Sequence, residues 1–245
     1  MRPPLVMLHG WASSPAVWQA TARRMRAHEA RHLVLPGHPG GISGLATCLD
    51  DWALALLDNC PPCFDLCGWS LGGLLALGIA RLAPRRVRRL VLIGTSPCFS
   101  GRDDWAHGLD VAIVARFRAE FVNDADRVMA RFHALQSLGD SRRRAVAAGL
   151  AQCAAAPVAP VGMAAGLQLL DDTDLRAALP SLDLPVRLLH GAEDALIPAG
   201  AAIAMNDALP QCRLTLLDDC GHAPLLSRPD DCAALMEGFL AEPDR

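Results

Sequence analysis

Short apolar runs alternate along the chain with stretches of helical periodicity. The runs fall at 5–8, 32–35, 64–67, 87–93, 186–190 and 213–217, and each is short enough and apolar enough to be a buried strand. Helical patterns occupy 17–25, 45–57, the stretch from Leu71 to Ala80, and segments starting near Ala199 and Asp230. Strands that alternate with helices predict an α/β architecture, a mostly parallel sheet with flanking crossover helices. One interval breaks the alternation: residues 97–182 carry helical patterning and no convincing strand. Within it Val128, Met129, Phe132, Leu135 and Leu138 recur at helical spacing, giving one apolar face. The expected organisation is a core formed by 1–96 and 183–245, with a helical cap inserted at 97–182. No internal repeat or flexible linker divides the chain.

At 245 residues the chain suffices for one large domain. The net charge of −3 gives no general reason to expect a nucleic acid or an anionic membrane as partner. All the basic charge is arginine, lysine being absent. The amino-terminal apolar stretch is too short for a signal peptide and no run reaches membrane-spanning length, so the expectation is a soluble, cytoplasmic protein; a monomer is the expected state. Nine cysteines, an odd number scattered through apparent core positions, fit reduced thiols better than a disulfide framework. Cys60 and Cys63 have the spacing of a redox or zinc half-site, but no second pair completes a zinc site, and they read as a loop with two thiols.

Candidate chemistry centres on Gly68-Trp69-Ser70-Leu71-Gly72-Gly73, which sits where the run 64–67 meets the helical pattern that follows. A serine between glycines at a strand-to-helix turn is the nucleophile elbow of α/β-hydrolases, in which small neighbours permit a strained turn that lifts the hydroxyl out of the sheet. A serine hydroxyl needs a base, and the base an orienting acid. The run 186–190 leads into Glu193 and Asp194, of which Asp194 is the preferred acid and Glu193 the alternative. The run 213–217 leads to His222, the one histidine after Asp194 and the expected base. His9 and His190 end earlier runs and fit that role less well; His28, His32, His38 and His107 read as surface or packing residues. The backbone amides of Trp11 and Leu71 are the expected oxyanion donors. No metal-ligand constellation and no phosphate- or dinucleotide-binding fingerprint occurs, so no metal and no cofactor is inferred, and water is the second substrate.

These residues resemble one family within the α/β-hydrolases, the BioH-type esterases of biotin synthesis, which hydrolyse the methyl ester of pimeloyl-acyl carrier protein. The likeness extends over nearly the whole chain. His9-Gly10-Trp11, the segment 68–74 and Gly221-His222-Ala223-Pro224 look like that family's oxyanion, nucleophile and histidine segments; more specific are 96–105 and 131–139. The resemblance implies Ser70, Asp194 and His222 as the triad. It implies Trp11, Ser70, Leu71, His222 and the segment Phe132, His133, Ala134, Leu135 and Gln136 as substrate contacts. It also implies Arg127, Arg131 and Arg144 as docking residues for an acyl carrier protein partner. The chain departs from the family's pattern in a missing or shortened leading hairpin and in one cap arginine replaced near Ala148, for which Arg142 and Arg143 are available substitutes. Independently of the resemblance, residues 111–150 hold seven arginines against four acids. Arg127 and Arg131, four apart on one helix, form a like-charge pair that an anionic partner would relieve, although a solvated helix face accounts for them equally well. The expected function is a serine carboxylesterase acting on the carrier-linked methyl ester. A generic short-chain esterase, a carbon–carbon bond hydrolase and a non-catalytic ligand-binding protein of the same fold remain as alternatives.

Overall fold

The computed structural model describes residues 3–25, 28–44, 46–156 and 160–243. Six parallel strands, β1 (Leu5–Leu8), β2 (Ala30–Leu33), β3 (Phe64–Trp69), β4 (Val87–Ile93), β5 (Val186–Gly191) and β6 (Cys212–Leu217), form one sheet in the order β2-β1-β3-β4-β5-β6. Because strand side chains alternate, the inner strands build two cores at once. Val6, Leu8, Leu66, Leu90, Leu92, Val186 and Leu188 face one side of the sheet. There they meet α2 (Leu49–Leu57), α3 (Leu71–Leu82) and α8 (Ala199–Ala208). Leu5, Met7, Cys67, Trp69, Val91, Ile93 and Leu189 face the other, against Trp18, α9 (Pro224–Ser227) and α10 (Pro229–Leu240). That two-sided burial explains why the inner strands read as mostly apolar runs rather than as alternating ones.

Between β4 and β5 the described residues form four α-helices, α4 (Val111–Asn123), α5 (Ala125–Gln136), α6 (Arg143–Gln152) and α7 (Pro160–Asp172), and a 3-10 helix, Arg176–Ser181. Asp110 and Asp124 cap α4 and α5, their carboxylates accepting the Ala112 N–H at 2.7 Å and the Arg127 N–H at 3.1 Å. Val128, Met129 and Phe132 of the apolar stripe are buried. No helix among the described residues is long and apolar enough to cross a membrane.

Several element boundaries differ from the sequence reading, most of all in β2, the first helix and α2. β2 ends at Leu33 rather than 35, because the Leu35 N–H leaves the ladder to donate to His9 Nε2 at 3.1 Å. The helix expected over 17–25 shrinks to a 3-10 turn, Pro15–Trp18, and one α turn, α1 (Gln19–Ala22). Arg24 and Met25 then bond three residues back, to Thr21 and Ala22, which tightens the chain out of the α-helix. α2 begins at Leu49, later than the 45 expected, and residue 45 itself lies outside the described residues. Cys60 and Cys63 follow α2 as free thiols; the Cys60 thiol donates to the Leu56 carbonyl at 3.3 Å, and burial pushes its pKa up to about 11.

Candidate active site

Ser70 is the hinge between β3 and α3, held at φ 55° and ψ −121°, a conformation that side chains normally avoid. The turn closes because Gly68 and Gly72 touch backbone to backbone; a Cβ at Gly68 would overlap the Gly72 carbonyl. Ser70 N–H donates to Ile93 O at 3.0 Å, and the Thr95 hydroxyl donates to Ser70 O at 2.8 Å, so the strained residue is held from both sides.

His222 Nε2 lies 3.0 Å from Ser70 Oγ, and its Nδ1 lies 2.8 Å from Asp194 Oδ2. The carboxylate can only accept, so Nδ1 carries the proton and Nε2 presents its lone pair to the serine hydroxyl. Asp194 Oδ1 accepts the Leu196 and Ile197 N–H groups at 2.8 and 2.9 Å, which fixes the carboxylate on its turn. Burial pushes the Asp194 carboxyl up, but His222, its hydrogen bond, His190 and the Ile197 amide outweigh burial and hold it below the ordinary carboxylate value. Its neighbour Glu193 points to solvent. The arrangement is compatible with a Ser-His-Asp triad.

The His222 backbone is held as firmly as its ring. Trp69 Nε1–H donates to the His222 carbonyl at 2.8 Å, and the His222 N–H donates to Gln136 O at 3.3 Å. His190, whose pKa burial lowers from the ordinary histidine value, donates from Nε2 to Ile197 O at 2.8 Å and sits 3.4 Å from Asp194 Oδ2. On the opposite side, Ala12 has φ 61° and donates its N–H to His38 Nε2 at 3.0 Å, which pins the turn containing Trp11. Leu71 opens α3, so its N–H has no acceptor within the helix.

Next to Ser70 lies a narrow apolar cavity with about 50 Å³ of free volume, room for a thin alkyl chain. Trp11 and Leu196 contribute from the core, and Ile113, Phe117, Phe132, Leu135 and Leu170 from the helices between β4 and β5. Trp11 is locked by a hydrogen bond from Nε1 to Met163 O at 2.8 Å and by edge contacts with Phe117, Phe121 and Phe132. Of the segment 132–136, Phe132 and Leu135 line the cavity. Ala134 faces solvent and His133 is half-buried on α5, outside the lining; Gln136 turns its carbonyl to His222 instead.

The three arginines singled out from the sequence, Arg127, Arg131 and Arg144, are exposed, the first two on α5 and the third on α6. Arg131 is not an unmet charge. It pairs with Glu120 at 2.8 Å and lies over the Phe117 ring, 5.9 Å from its centroid. Arg127 makes no ion pair among the described residues, and with Arg116 and Arg131 it borders a shallow groove.

The alpha/beta hydrolase family model matches residues 5–235. The chain belongs to that family. A relative from Aromatoleum aromaticum named pimeloyl-[acyl-carrier protein] methyl ester esterase is 48% identical, the alignment covering 96% of this chain and 97% of the relative. One of the same name from Nitrosomonas europaea is 39% identical over 97% of this chain and 95% of its own. The solved esterase from Exiguobacterium antarcticum superposes with a TM-score of 0.84 at 19% identity, covering 98% of this chain and 92% of that one, a likeness of fold.

Sequence reasoning missed Trp69, His190, Gln136 and the His9/His38 pair as supports of the site. A tryptophan inside the elbow motif was visible; the others act through backbone contacts that leave no local pattern.

Proposed function

We propose that the chain is a serine carboxylesterase that hydrolyses the methyl ester of a pimeloyl group carried by an acyl carrier protein, the step the resemblance places in biotin synthesis. The observation that carries this reading is the continuous relay from Ser70 Oγ through His222 to Asp194 beside an apolar slot. The names of relatives that align over nearly the full chain supply the substrate.

In this reading Ser70 Oγ attacks the ester carbonyl carbon while its proton passes to His222 Nε2, and Asp194 stabilises the imidazolium. The carbonyl oxygen takes the negative charge and accepts hydrogen bonds from the Trp11 and Leu71 amides. Collapse expels methanol, protonated by His222, and leaves Ser70 acylated. Water then loses a proton to Nε2 and attacks the acyl carbon, releasing the carboxylic acid and restoring the serine. The helices between β4 and β5 act as a cap whose inner face grips the alkyl chain. Arg127, Arg131 and Arg144 on its outer face meet the acidic carrier.

Mass spectrometry of carrier-linked pimeloyl methyl ester, before and after incubation, tests the reading: the product should lack one methylene's mass. Ser70→Ala should slow that conversion ~10⁵- to 10⁶-fold while keeping the fold. An enzyme that cleaves small esters but leaves the carrier-linked ester intact would replace the proposal with a generic short-chain esterase.

A further inference from the structure

The segment that leaves α5 touches both loops of the relay. Gln136 O accepts the His222 N–H at 3.3 Å, and Ser141 N–H donates to Asp219 O at 3.0 Å. Gly139, at φ 78°, lies so close to the Glu193 backbone that any Cβ would overlap the Glu193 carbonyl. At the centre is Asp140, a buried carboxylate with a donor on every side. Its Oδ1 accepts the Arg142 N–H at 2.7 Å and the Ser227 hydroxyl at 2.9 Å; its Oδ2 accepts the Gly221 N–H at 3.1 Å.

Gly221 is the residue before His222, and Asp219, three before it, sits at φ 52°, in the left-handed region that non-glycine residues rarely adopt. A strained loop keeps such a shape only where its surroundings over-determine it. Here the surroundings are Asp140 on the Gly221 amide, Ser141 on the Asp219 carbonyl and Gln136 on the His222 amide.

We propose that Asp140 is a positioning residue that sets the His222 imidazole against Ser70 by holding the Gly221 amide; this rests on the reading of His222 as the general base. A carboxylate suits the role because it accepts at both oxygens. An asparagine offers one acceptor oxygen, and its amide group would face a donor, either the Gly221 N–H or the Arg142 N–H. Because Oδ1 meets two donors, Arg142 N–H and the Ser227 hydroxyl, and Oδ2 only one, the amide oxygen stays on the Arg142 side and the amide group faces the Gly221 N–H, which releases Gly221 and the loop with it.

The test compares Asp140→Asn with Ser227→Ala, which removes another hydrogen bond to the same carboxylate but leaves the Gly221 contact in place. With a small soluble ester, Asp140→Asn should lower kcat ~10- to 100-fold, since a misplacement of about an ångström costs that much, with KM within about twofold. The downfield proton resonance of the His222 Nδ1–H should broaden or move. Ser227→Ala should keep kcat and that resonance, whatever its melting temperature. Rates are taken per active site titrated with a fluorophosphonate, so partial folding does not distort them. If Asp140→Asn does not fold, Asp140→Ser, which leaves room for a water, serves in its place with the same expected fall in kcat. Equal kcat and resonance in Asp140→Asn and Ser227→Ala would reduce Asp140 to a structural residue and overturn the proposal. His222→Ala, measured alongside, separates the two levels: substantial activity there would sink the general-base reading itself, independently of Asp140.

Discussion

Lowering the pH from about 7.5 to about 5 should cost about 4 kcal/mol of folding stability at two buried histidines alone. His9 and His38 meet ring to edge, with centroids 5.0 Å apart. Each uses Nε2 as an acceptor, His9 for the Leu35 N–H at 3.1 Å and His38 for the Ala12 N–H at 3.0 Å. Each therefore carries its proton on Nδ1, which donates to Gly10 O at 2.8 Å and to Pro36 O at 3.0 Å. Burial, with His38 adding repulsion, holds His9 down to about 3. Burial holds His38 down to about 4. An unfolded histidine titrates near ~6.5. Between these values the unfolded chain binds protons that the folded chain refuses, so the stability is fully present above ~6.5 and is lost as the pH falls towards the folded values. At pH about 5 each ring lies about 1.5 units below the unfolded value, worth about 2 kcal/mol at ~1.36 kcal/mol per unit. That is a large share of the ~5–15 kcal/mol typical of a domain. His32, His133 and His190, all lowered by burial, act in the same direction; Asp65, raised by burial against its pull from Arg88, acts in the opposite one. Urea unfolding at constant ionic strength, followed by tryptophan fluorescence, measures the sum. His38→Gln isolates one ring, because its amide oxygen reaches the place of Nε2 and still accepts the Ala12 N–H but does not titrate. Its loss over the same pH interval should be about 2 kcal/mol smaller than the parent's. An identical pH dependence in parent and variant would refute the assignment of a neutral, accepting His38.

Two further outcomes separate neighbouring residues. Asp194→Asn should keep the fold and lower turnover on the order of 10⁴-fold by disorienting His222, whereas Glu193→Gln, at an exposed position, should change little; the reverse ranking in steady-state kinetics would move the acid to Glu193. Arg127→Glu is a cleaner probe of carrier docking than any change at Arg131, which also pairs with Glu120 and covers the cavity residue Phe117. It should raise KM for the carrier-linked ester about tenfold, the equivalent of one charge-assisted contact of about 1.5 kcal/mol, and leave small esters untouched. Added salt should narrow the gap by screening. A uniform effect on both substrates would assign Arg127 to the helix rather than to docking.

What the chain determined by itself is what local physics can encode. The runs at 5–8, 87–93 and 186–190 became strands because a parallel strand buried on both faces is mostly apolar, the arginines Arg88, Arg89 and Arg187 falling near the strand starts. Ser70 was legible because a strand-to-helix elbow admits few residue types around it. His222 and Asp194 followed from their places after later strands, since parallel strands deliver all their carboxyl-end loops to one edge of the sheet. Tertiary structure decided what depends on neighbours distant in sequence. His38 reads as a surface or packing residue in the sequence, yet it is buried as a hydrogen-bond acceptor because the loop after β1 folds over it. β2 ends early because His9 takes the Leu35 amide. Phe132 and Leu135 face the cavity while Ala134 between them faces water, as successive helical residues turn by about 100°. Asp140, in a stretch of mixed polarity, gives no sign of its contact with Gly221, 81 residues away. Hydrogen bonds to backbone amides are blind to the side chain they hold in place, so they leave no pattern in the sequence, and only the packed chain shows where they fall.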